Sequence, residues 1–310
     1  MKSKYTSSEN ILFDELKKVF KINLIEDAFN KFNFFKCPLP NFRVVSFDLE
    51  SISKNRTAPI FSESSIIQIG VVAESCDVDN HGESNNNKSK INVIFTVNNV
   101  SKMDNIDEFC FDTEQELLAN WLKFLEIYDP DVIVGYNIIS FDLRLIKERL
   151  AFYNIEDSYF DSTYQPINKR TIVVDVMRQL KYFSNYRWRK LNEMALNFLN
   201  DQKNDIDYDD LFDLQLFSND SRKKIATYCV QDCDLTLRLF VNLGIFQSLI
   251  FFSKHSSISI NNIINSEKRK IMKMILFQRV SSTNAVLKDY FEKFKFLGYK
   301  LITNYNLPHM

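Results

Sequence analysis

The sequence has no uninterrupted apolar run of the roughly 18 residues that a membrane-spanning helix needs, so no transmembrane segment is expected. Its N-terminal residues lack an apolar core and do not form a signal-peptide pattern. The formal net charge is only -1, which excludes a general polyanion-binding protein. Any contact with a nucleic acid must therefore come from a local basic surface.

Histidine and cysteine are too few and too scattered to predict a zinc centre. The three histidines lie in polar stretches and indicate no role. The five cysteines form no Cys-x-x-Cys pair, and their irregular spacing is typical of reduced thiols in an intracellular protein, cytosolic or nuclear. Cys229 and Cys233 would share one face of a helix, either as half of a zinc site or as two buried small hydrophobic side chains. The second alternative is favoured because the sequence offers no second ligand pair.

The remaining composition is that of a globular protein, with 45% hydrophobic and 25% charged residues among 310. This length suffices for one large domain, or for one domain with a modest extension. Apolar segments with strand character predict three strands at 43–50, 66–73 and 91–97. Short connections between them predict an antiparallel meander, with the polar stretch 77–90 as one of the loops.

Helices and strands alternate after the meander. Two helices are predicted at 114–128 and 140–153, the second with Ser140 as its N-cap, and two short buried strands at 131–135 and 171–175. The apolar face of the first helix consists of Leu117, Leu118, Trp121, Leu122 and Leu125. Later helices are predicted at 176–184, 188–199, 220–248, 262–278 and 284–296. This order predicts an α/β fold with a mixed β-sheet and helices packed on it.

Two acidic residues interrupt the first predicted strand. Because side chains alternate along a strand, Asp48 and Glu50 point to one side, whereas Phe47 and Leu49 point to the other. Two carboxylates on one face of an apolar strand are costly to bury, and a divalent cation would compensate them. The alternative is a solvated edge strand, since a two-residue acidic pattern is common.

Two further acids lie where other predicted elements meet. Asp142 falls in the first turn of a helix that follows a strand, where open α/β sheets bind ligands; complementing the helix dipole is the alternative. Asn137, in the turn before it, is placed to contact a substrate or a bound water. Tyr228 and Asp232 are four residues apart and share a helix face, a pattern that surface helices also show.

The order and placement of these acids are more specific than any one motif. Acids on a strand, on a strand–turn–helix and on a helix suit two-metal phosphoryl transfer, which needs two cations about 4 Å apart. One cation generates hydroxide, and the other stabilises the leaving 3′ oxygen. Carboxylate oxygens favour Mg²⁺ or Mn²⁺ over zinc. The sequence therefore predicts a site for two such ions at Asp48, Glu50, Asp142 and Asp232.

Three segments resemble the exonuclease motifs of family B DNA polymerases, most closely those of the delta type and its large-DNA-virus relatives. They are Ser-Phe-Asp-Leu-Glu at 46–50, Gly-Tyr-Asn-Ile-Ile-Ser-Phe-Asp at 135–142 and Tyr-Cys-Val-Gln-Asp at 228–232. The resemblance covers residues 43–246. It implies an RNase H-like fold and hydrolysis of a DNA 3′ end, single-stranded or frayed, to release nucleoside monophosphates.

The resemblance also implies a role for each acid. Asp48, Glu50 and Asp232 hold the first metal ion. Asp48 also reaches the second ion, with Asp142 acting through water. Tyr228 orients the attacking water molecule.

Substrate contacts are implied for a further set of residues. Asn137 contacts the terminal nucleotide, while Leu49 and Phe141 either flank the terminal base or pack beneath the site. A basic stretch with interleaved aromatic residues includes Arg187 and Lys190, and such a mixture suits single-stranded nucleic acid. The alternative is a basic helix pair whose aromatic side chains lie in the core.

The departures from the family pattern predict the domain layout. A short N-terminal segment at 1–42 precedes an exonuclease domain at 43–248, and a helical C-terminal extension follows at 249–310. No polymerase palm, fingers or thumb is present in this sequence, so we expect no polymerase activity from it. The expected protein is the proofreading exonuclease part of a family B DNA polymerase that acts in DNA replication, either split or excised from that polymerase, or a free-standing nuclease that acts alone or with a separate polymerase subunit. The alternatives are a non-catalytic docking remnant and an RNA-directed nuclease. The acidic run 201–213 is predicted to be a solvated loop.

Overall fold

A six-stranded mixed β-sheet forms the centre of the structure, which is a computed structural model of the chain. Its strands are β1 (Phe42–Ser53), β2 (Ser64–Cys76), β3 (Ile91–Val97), β4 (Asp107–Phe111), β5 (Val132–Gly135) and β6 (Ile172–Asp175). The residues described are 41–53, 61, 63–76, 90–168, 170–183, 190–201, 206, 208–256 and 258–265. Most of the predicted N-terminal segment, the helix predicted at 284–296 and Arg187 lie outside them.

Strand pairing follows the predicted meander for the first three strands. β1 is antiparallel to β2, and β2 is antiparallel to β3. β5 and β6 add in parallel on the other side of β1, and β4 lies parallel to β3 at the far edge. The resulting order, β4-β3-β2-β1-β5-β6, confirms the predicted mixed sheet. Ser46 pairs with Val134, so β5 ends beside the stretch of β1 that carries Asp48 and Glu50.

Helices cover both faces of this sheet. They are α1 (Glu114–Tyr128), α2 (Asp142–Phe152), α3 (Val176–Phe183), α4 (Leu191–Leu199), α5 (Tyr208–Phe217), α6 (Asn219–Asn242), α7 (Ile245–Ser256) and α8 (Ile260–Ile264). The first has the predicted bounds and the predicted apolar face. The second begins two residues later than predicted. Because Phe141 precedes it, the predicted N-cap role of Ser140 is wrong.

Three features of the fold differ from what the sequence predicts. β4 is a five-residue edge strand whose side chains are mostly exposed, so it carries no clear apolar pattern. α5 occupies part of the loop predicted at 201–213, and that prediction is wrong because Leu211 is buried in a small apolar cluster. The long helix predicted at 220–248 is broken at Gly244, whose φ of 58° ends α6.

The larger core lies between the sheet and helices α1 and α2. The ring of Phe47 lies 5.2 Å from that of Trp121 in α1. Glu114 at the start of α1 forms a buried ion pair with Arg149 of α2, with 2.7 Å between Oε2 and Nη2. The same carboxylate accepts the backbone N–H of Ile66 at 2.8 Å. This buried network ties the C-terminal half of α2 to α1 and β2.

Helix α6 lies on the opposite face, unusually close to β1 and β2. A Cβ atom built on Gly70 would lie 2.9 Å from Sγ of Cys229 and 3.1 Å from its carbonyl carbon and oxygen. The Gly70 N–H donates to Sγ of Cys229 at 3.2 Å, and the Ser46 hydroxyl donates to the Cys233 carbonyl at 2.8 Å. Both cysteines are fully buried, as the favoured alternative predicts. The absent side chain at position 70 thus permits the helix to approach.

We expect Gly70→Ala to lower the free energy of unfolding by about 1–3 kcal/mol, because the added methyl group meets the backbone of α6 and the helix must shift. Urea unfolding followed by circular dichroism measures the change. Adding Cys229→Ala removes only the nearest contact, the sulfur, and should recover part of the loss. A Gly70→Ala protein as stable as the wild type would contradict the close approach.

Candidate active site

Asp48 and Glu50 lie on the face of β1 that contacts α6. Asp48 is half-buried, and Glu50 is buried, with 8% of its surface exposed. The intervening Leu49 points into the core on the other face together with Phe47. The register with β2 shifts between Glu50 and Ser51, so the strand becomes irregular directly after the second acid. The alternation predicted for this strand is therefore present.

Asp142 reaches the same place from the end of β5. A Cβ at Gly135 would lie 1.9 Å from Cγ2 of Ile138, so a side chain there would prevent the chain from folding back. Asn137 then adopts a left-handed φ of 65°, and α2 begins at Asp142. The Asp142 carboxylate accepts hydrogen bonds from its own N–H and from the backbone N–H of Leu49. These bonds hold it against β1.

Helix α6 supplies the fourth acid. Asp232 is 6% exposed and lies on the part of α6 that packs on β1. One turn earlier, the Cys229 thiol donates to the Asp48 carbonyl at 3.4 Å, which joins the helix directly to the strand beneath the acids. Tyr228 precedes this cysteine and is half-buried. Strand, turn and helix thus bring all four predicted acids together.

Neighbouring carboxylates raise the pKa values of Asp48 and Asp142. Desolvation raises the pKa of Asp48 well above its usual range, and the negative charges of Asp142, Asp232 and Glu50 add to this effect. Desolvation also raises the pKa of Asp142 to about 7, with a further contribution from the charge of Asp175, although backbone hydrogen bonds oppose the shift. Protons or bound cations stabilise such a cluster.

The donor atoms at the site suit a hard cation. Asp48, Glu50 and Cys229 each offer an atom within 4.8 Å of the other two. The thiol of Cys229 already accepts the Gly70 N–H, and burial raises the pKa of this thiol well above its usual value. The thiol also donates to the Asp48 carbonyl, so both of its hydrogen-bonding positions are occupied within the protein. The carboxylate oxygens remain, and these favour Mg²⁺ or Mn²⁺ over zinc.

The residues predicted to contact the substrate lie in different environments. Leu49 is 5% exposed and lies in the core, which favours packing beneath the site over contact with a base. Asn137 and Phe141 lie in the turn that leads into α2, and the Phe141 ring is 5.7 Å from that of Phe61. Lys190 is exposed directly before α4.

Two features near the acids are missed by the sequence reading. Asp175, the last residue of β6, is completely buried and accepts the backbone N–H of Asn137 at 3.1 Å. An aspartate between a strand and a helix was an available signal, because this residue type often caps a helix. Arg144 of α2 holds its guanidinium carbon 4.2 Å from the centre of the Phe61 ring. These two residues are distant in sequence, so no local pattern indicates their contact.

The sheet order, the helices on both faces and the clustered acids define an RNase H-like fold of the exonuclease type. Residues 16–199 match the family model described as DNA polymerase family B, exonuclease domain. The chain therefore belongs to the family B DNA polymerases, as its three motifs predict. The matched region ends before α6, so the position of Asp232 beside the other acids comes from the structure.

Several relatives carry the name DNA polymerase delta catalytic subunit. The chain is 30% identical to the Candida albicans protein over 224 residues, which are 65% of this chain and 21% of the relative. It is 32% identical to the Plasmodium falciparum protein over 229 residues, which are 66% of this chain and 20% of the relative. It is 27% identical to the Arabidopsis thaliana protein over 272 residues, which are 80% of this chain and 24% of the relative. The chain thus spans about a fifth to a quarter of the length of these relatives. Of the helices described, none combines the length and apolar character needed to cross a membrane.

The shifted pKa of Asp142 predicts a pH-dependent effect of Asp142→Asn on the metal-free protein. Because the pKa of about 7 in the folded chain exceeds the ordinary value of 3.8, the folded state binds more protons. The stability that this carboxyl contributes is complete below the ordinary pKa and is lost as pH rises through 7. The variant should therefore gain stability relative to the wild type between pH 5 and pH 8, by an amount on the order of 2 kcal/mol.

Thermal unfolding in the presence of a chelator, across this pH range, measures the difference between the two proteins. Glu148→Gln, on the exposed side of the same helix, is the matched control and should follow the wild-type profile. A difference between Asp142→Asn and the wild type that does not change with pH would contradict the prediction.

Proposed function

We propose that the chain is a metal-dependent 3′→5′ exodeoxyribonuclease, which acts as the proofreading part of a family B DNA polymerase in DNA replication. One observation carries the proposal: acids from three elements distant in sequence meet in a single desolvated cluster. Burying like charges is unfavourable for folding alone, so such a cluster indicates a site that binds cations. The delta-type relatives support DNA as the substrate.

Two Mg²⁺ or Mn²⁺ ions fit the donor set that the chain provides. Asp48, Glu50 and Asp232 would hold one ion, and Asp48 with Asp142 would hold the other, the latter through water. When bound, the ions supply a nucleophile at neutral pH and neutralise charge on the leaving 3′ oxygen. The carboxylate oxygens of the cluster support hard cations as the bound ions.

The chain's other residues would bind and orient the substrate. Tyr228, one turn from Asp232, would orient the attacking water with its phenol group. Phe141, together with Phe61 and Arg144, forms an aromatic and cationic edge next to the turn before α2. This combination suits a stacked terminal base and its phosphate.

The substrate and partner follow from the same assignment. A single-stranded or frayed DNA 3′ end is the expected substrate, with Asn137 at the terminal nucleotide and Arg187 and Lys190 along the backbone. The polymerase activity would come from a separate region or subunit, in the nucleus or the cytoplasm. Within this chain, we retain an exonuclease domain at 43–248 and a helical extension at 249–310.

Asp232→Asn should abolish shortening of 5′-labelled single-stranded DNA, with a loss of more than about 100-fold, because it removes a carboxylate that would ligate the metal. The matched control is Asp234→Asn on the same helix, since Asp234 forms ion pairs with Lys90 and Arg238 away from the cluster. The control should keep its activity. Gel analysis of the products with Mg²⁺ and with Mn²⁺ measures both variants.

Two outcomes of this assay would favour the alternatives. A wild-type protein that is inert with both metals, alone and with a polymerase partner, would indicate a non-catalytic DNA-binding or docking remnant. Faster shortening of RNA than of DNA would indicate an RNA-directed nuclease. Equal loss in Asp232→Asn and Asp234→Asn would show that the assay reports damage to α6 and not the loss of a metal ligand.

Tyr228→Phe tests the proposed water-orienting phenol. Removing only the hydroxyl should lower kcat by about 10- to 100-fold while KM for DNA changes little, because orientation affects the reaction more than binding. Steady-state kinetics on a short oligonucleotide separate the two parameters. An increase in KM at unchanged kcat would instead assign the phenol to substrate binding.

A further inference from the structure

Asp175 is a buried carboxylate that none of the three exonuclease motifs contains. It is the last residue of β6 and is completely buried. Its Oδ1 accepts the backbone N–H of Asn137 at 3.1 Å and that of Arg178 at 3.2 Å. Its Oδ2 accepts the backbone N–H of Ile139 at 3.4 Å and lies 3.6 Å from Nε of Arg178. One side chain thus joins β6, the start of α3 and the turn before α2.

The turn that Asp175 holds begins with a left-handed residue. Asn137 has a φ of 65°, a conformation that asparagine adopts more readily than most residues that carry a side chain. The Asn137 carbonyl accepts the N–H groups of Ser140 at 3.1 Å and Phe141 at 3.2 Å. The turn therefore closes on itself, and its inward-facing N–H groups are the ones bonded to Asp175. Without that carboxylate, the buried N–H of Ile139 and the partly buried N–H of Asn137 would lose their partner.

The same turn sets the position of Asp142. The N–H of Leu143 bonds to the Ile138 carbonyl at 2.9 Å, so the first turn of α2 continues directly from the residues that Asp175 binds. Phe141, the residue before the helix, has no polar group that could cap it. An aspartate side chain is short, so a shift of the turn moves its carboxylate by a similar amount. Asp175 therefore acts on the acid cluster through the backbone.

Arg178 completes the arrangement from the solvent side. Its guanidinium lies beside Asp175 and donates from Nη2 to the Ser140 hydroxyl at 3.1 Å. This contact explains why Ser140 does not cap α2: its hydroxyl faces α3. The cation also partly balances the buried negative charge next to Asp142.

We propose that Asp175 is a positioning residue of the metal site, which holds the 136–141 turn so that Asp142 presents its carboxylate to a bound divalent cation. The proposal rests on the metal-dependent function proposed above. Asp175 itself does not ligate the cation, because both of its oxygens are directed at backbone N–H groups and Arg178. Because Asp175 acts by positioning Asp142, a change at Asp175 should alter the affinity of the site for the metal ion.

Asp175→Asn tests the proposal with a small change of shape. One carboxylate oxygen becomes an NH₂ group, which cannot accept the N–H it faces, so part of the turn loses its support. We expect the half-saturating Mg²⁺ concentration for DNA shortening to rise about tenfold, the lower end of the effect of outer-shell changes on metal sites. Activity at saturating Mn²⁺ should recover to within a few-fold of the wild type.

Glu114→Gln is the matched control, because it disrupts a buried ion pair at the opposite end of α2. It should lower the melting temperature while leaving the half-saturating Mg²⁺ concentration unchanged. Equal changes in metal dependence for Glu114→Gln and Asp175→Asn would reduce Asp175 to a residue of general stability. That result would overturn the proposal.

Hydrogen exchange separates positioning from a loss of charge and needs no activity. In Asp175→Asn, peptides that cover the 136–141 turn should exchange faster, while peptides from α6 should keep wild-type rates. Lower metal affinity with unchanged exchange in the turn would assign the effect to charge and overturn positioning. If Asp175→Asn is too unstable to purify, Arg178→Gln takes its place, because it removes the exposed cation beside Asp175. This variant should show a smaller rise in the half-saturating Mg²⁺ concentration and a smaller increase in exchange of the 136–141 turn. If neither quantity changes, the proposal is also overturned.

The wild-type protein keeps this inference distinct from the proposed function. If wild-type protein neither shortens DNA nor gains thermal stability with Mn²⁺, the proposed function fails. If the wild type does both and Asp175→Asn has the same metal dependence, only the positioning role fails.

Discussion

The close contact of α6 with β1 and β2 is the constraint on which the acid cluster depends. Asp232 meets the acids of β1 only because the helix backbone comes within van der Waals distance of the sheet at Gly70. A cysteine at position 229 suits this distance, since its small side chain fills the remaining space and still bonds to the Gly70 N–H and the Asp48 carbonyl. Small residues on the sheet and on α6 therefore allow the close packing that brings the acids together.

This proximity has an energetic consequence, because it removes water from carboxylates that repel one another. The shifted pKa values of Asp48 and Asp142 express that consequence. The opposite face of β1 offsets it with ordinary packing: Phe47 lies against Trp121, and the buried pair of Glu114 and Arg149 fixes α1 to α2. A stable core on one face thus supports an unfavourable charge arrangement on the other, as functional sites often require.

Much of this arrangement could be predicted from the sequence, and the physical reason is periodicity. Alternation along 43–50 placed two acids on one face, and helical spacing gave α1 its bounds. Features set by contacts between distant segments were not predictable. Ser140 matches the preference for N-cap residues, yet its hydroxyl bonds to Arg178 of α3 and α2 begins only at Asp142. In α5, the surrounding acidic residues obscured the buried Leu211.

Backbone features, more than side-chain flexibility, determine where the acids lie. Three of the four are aspartates, whose short side chains cannot compensate for a displaced main chain. Three of the four acids lie next to a backbone irregularity or a close approach: the register shift after Glu50, the left-handed Asn137 before Asp142, and the absent side chain of Gly70 beneath the helix that carries Asp232. Catalytic groups must be held to within a fraction of an ångström, and rigid main chain achieves this better than long side chains do. The residues that shape the backbone therefore belong to the site as much as the acids themselves.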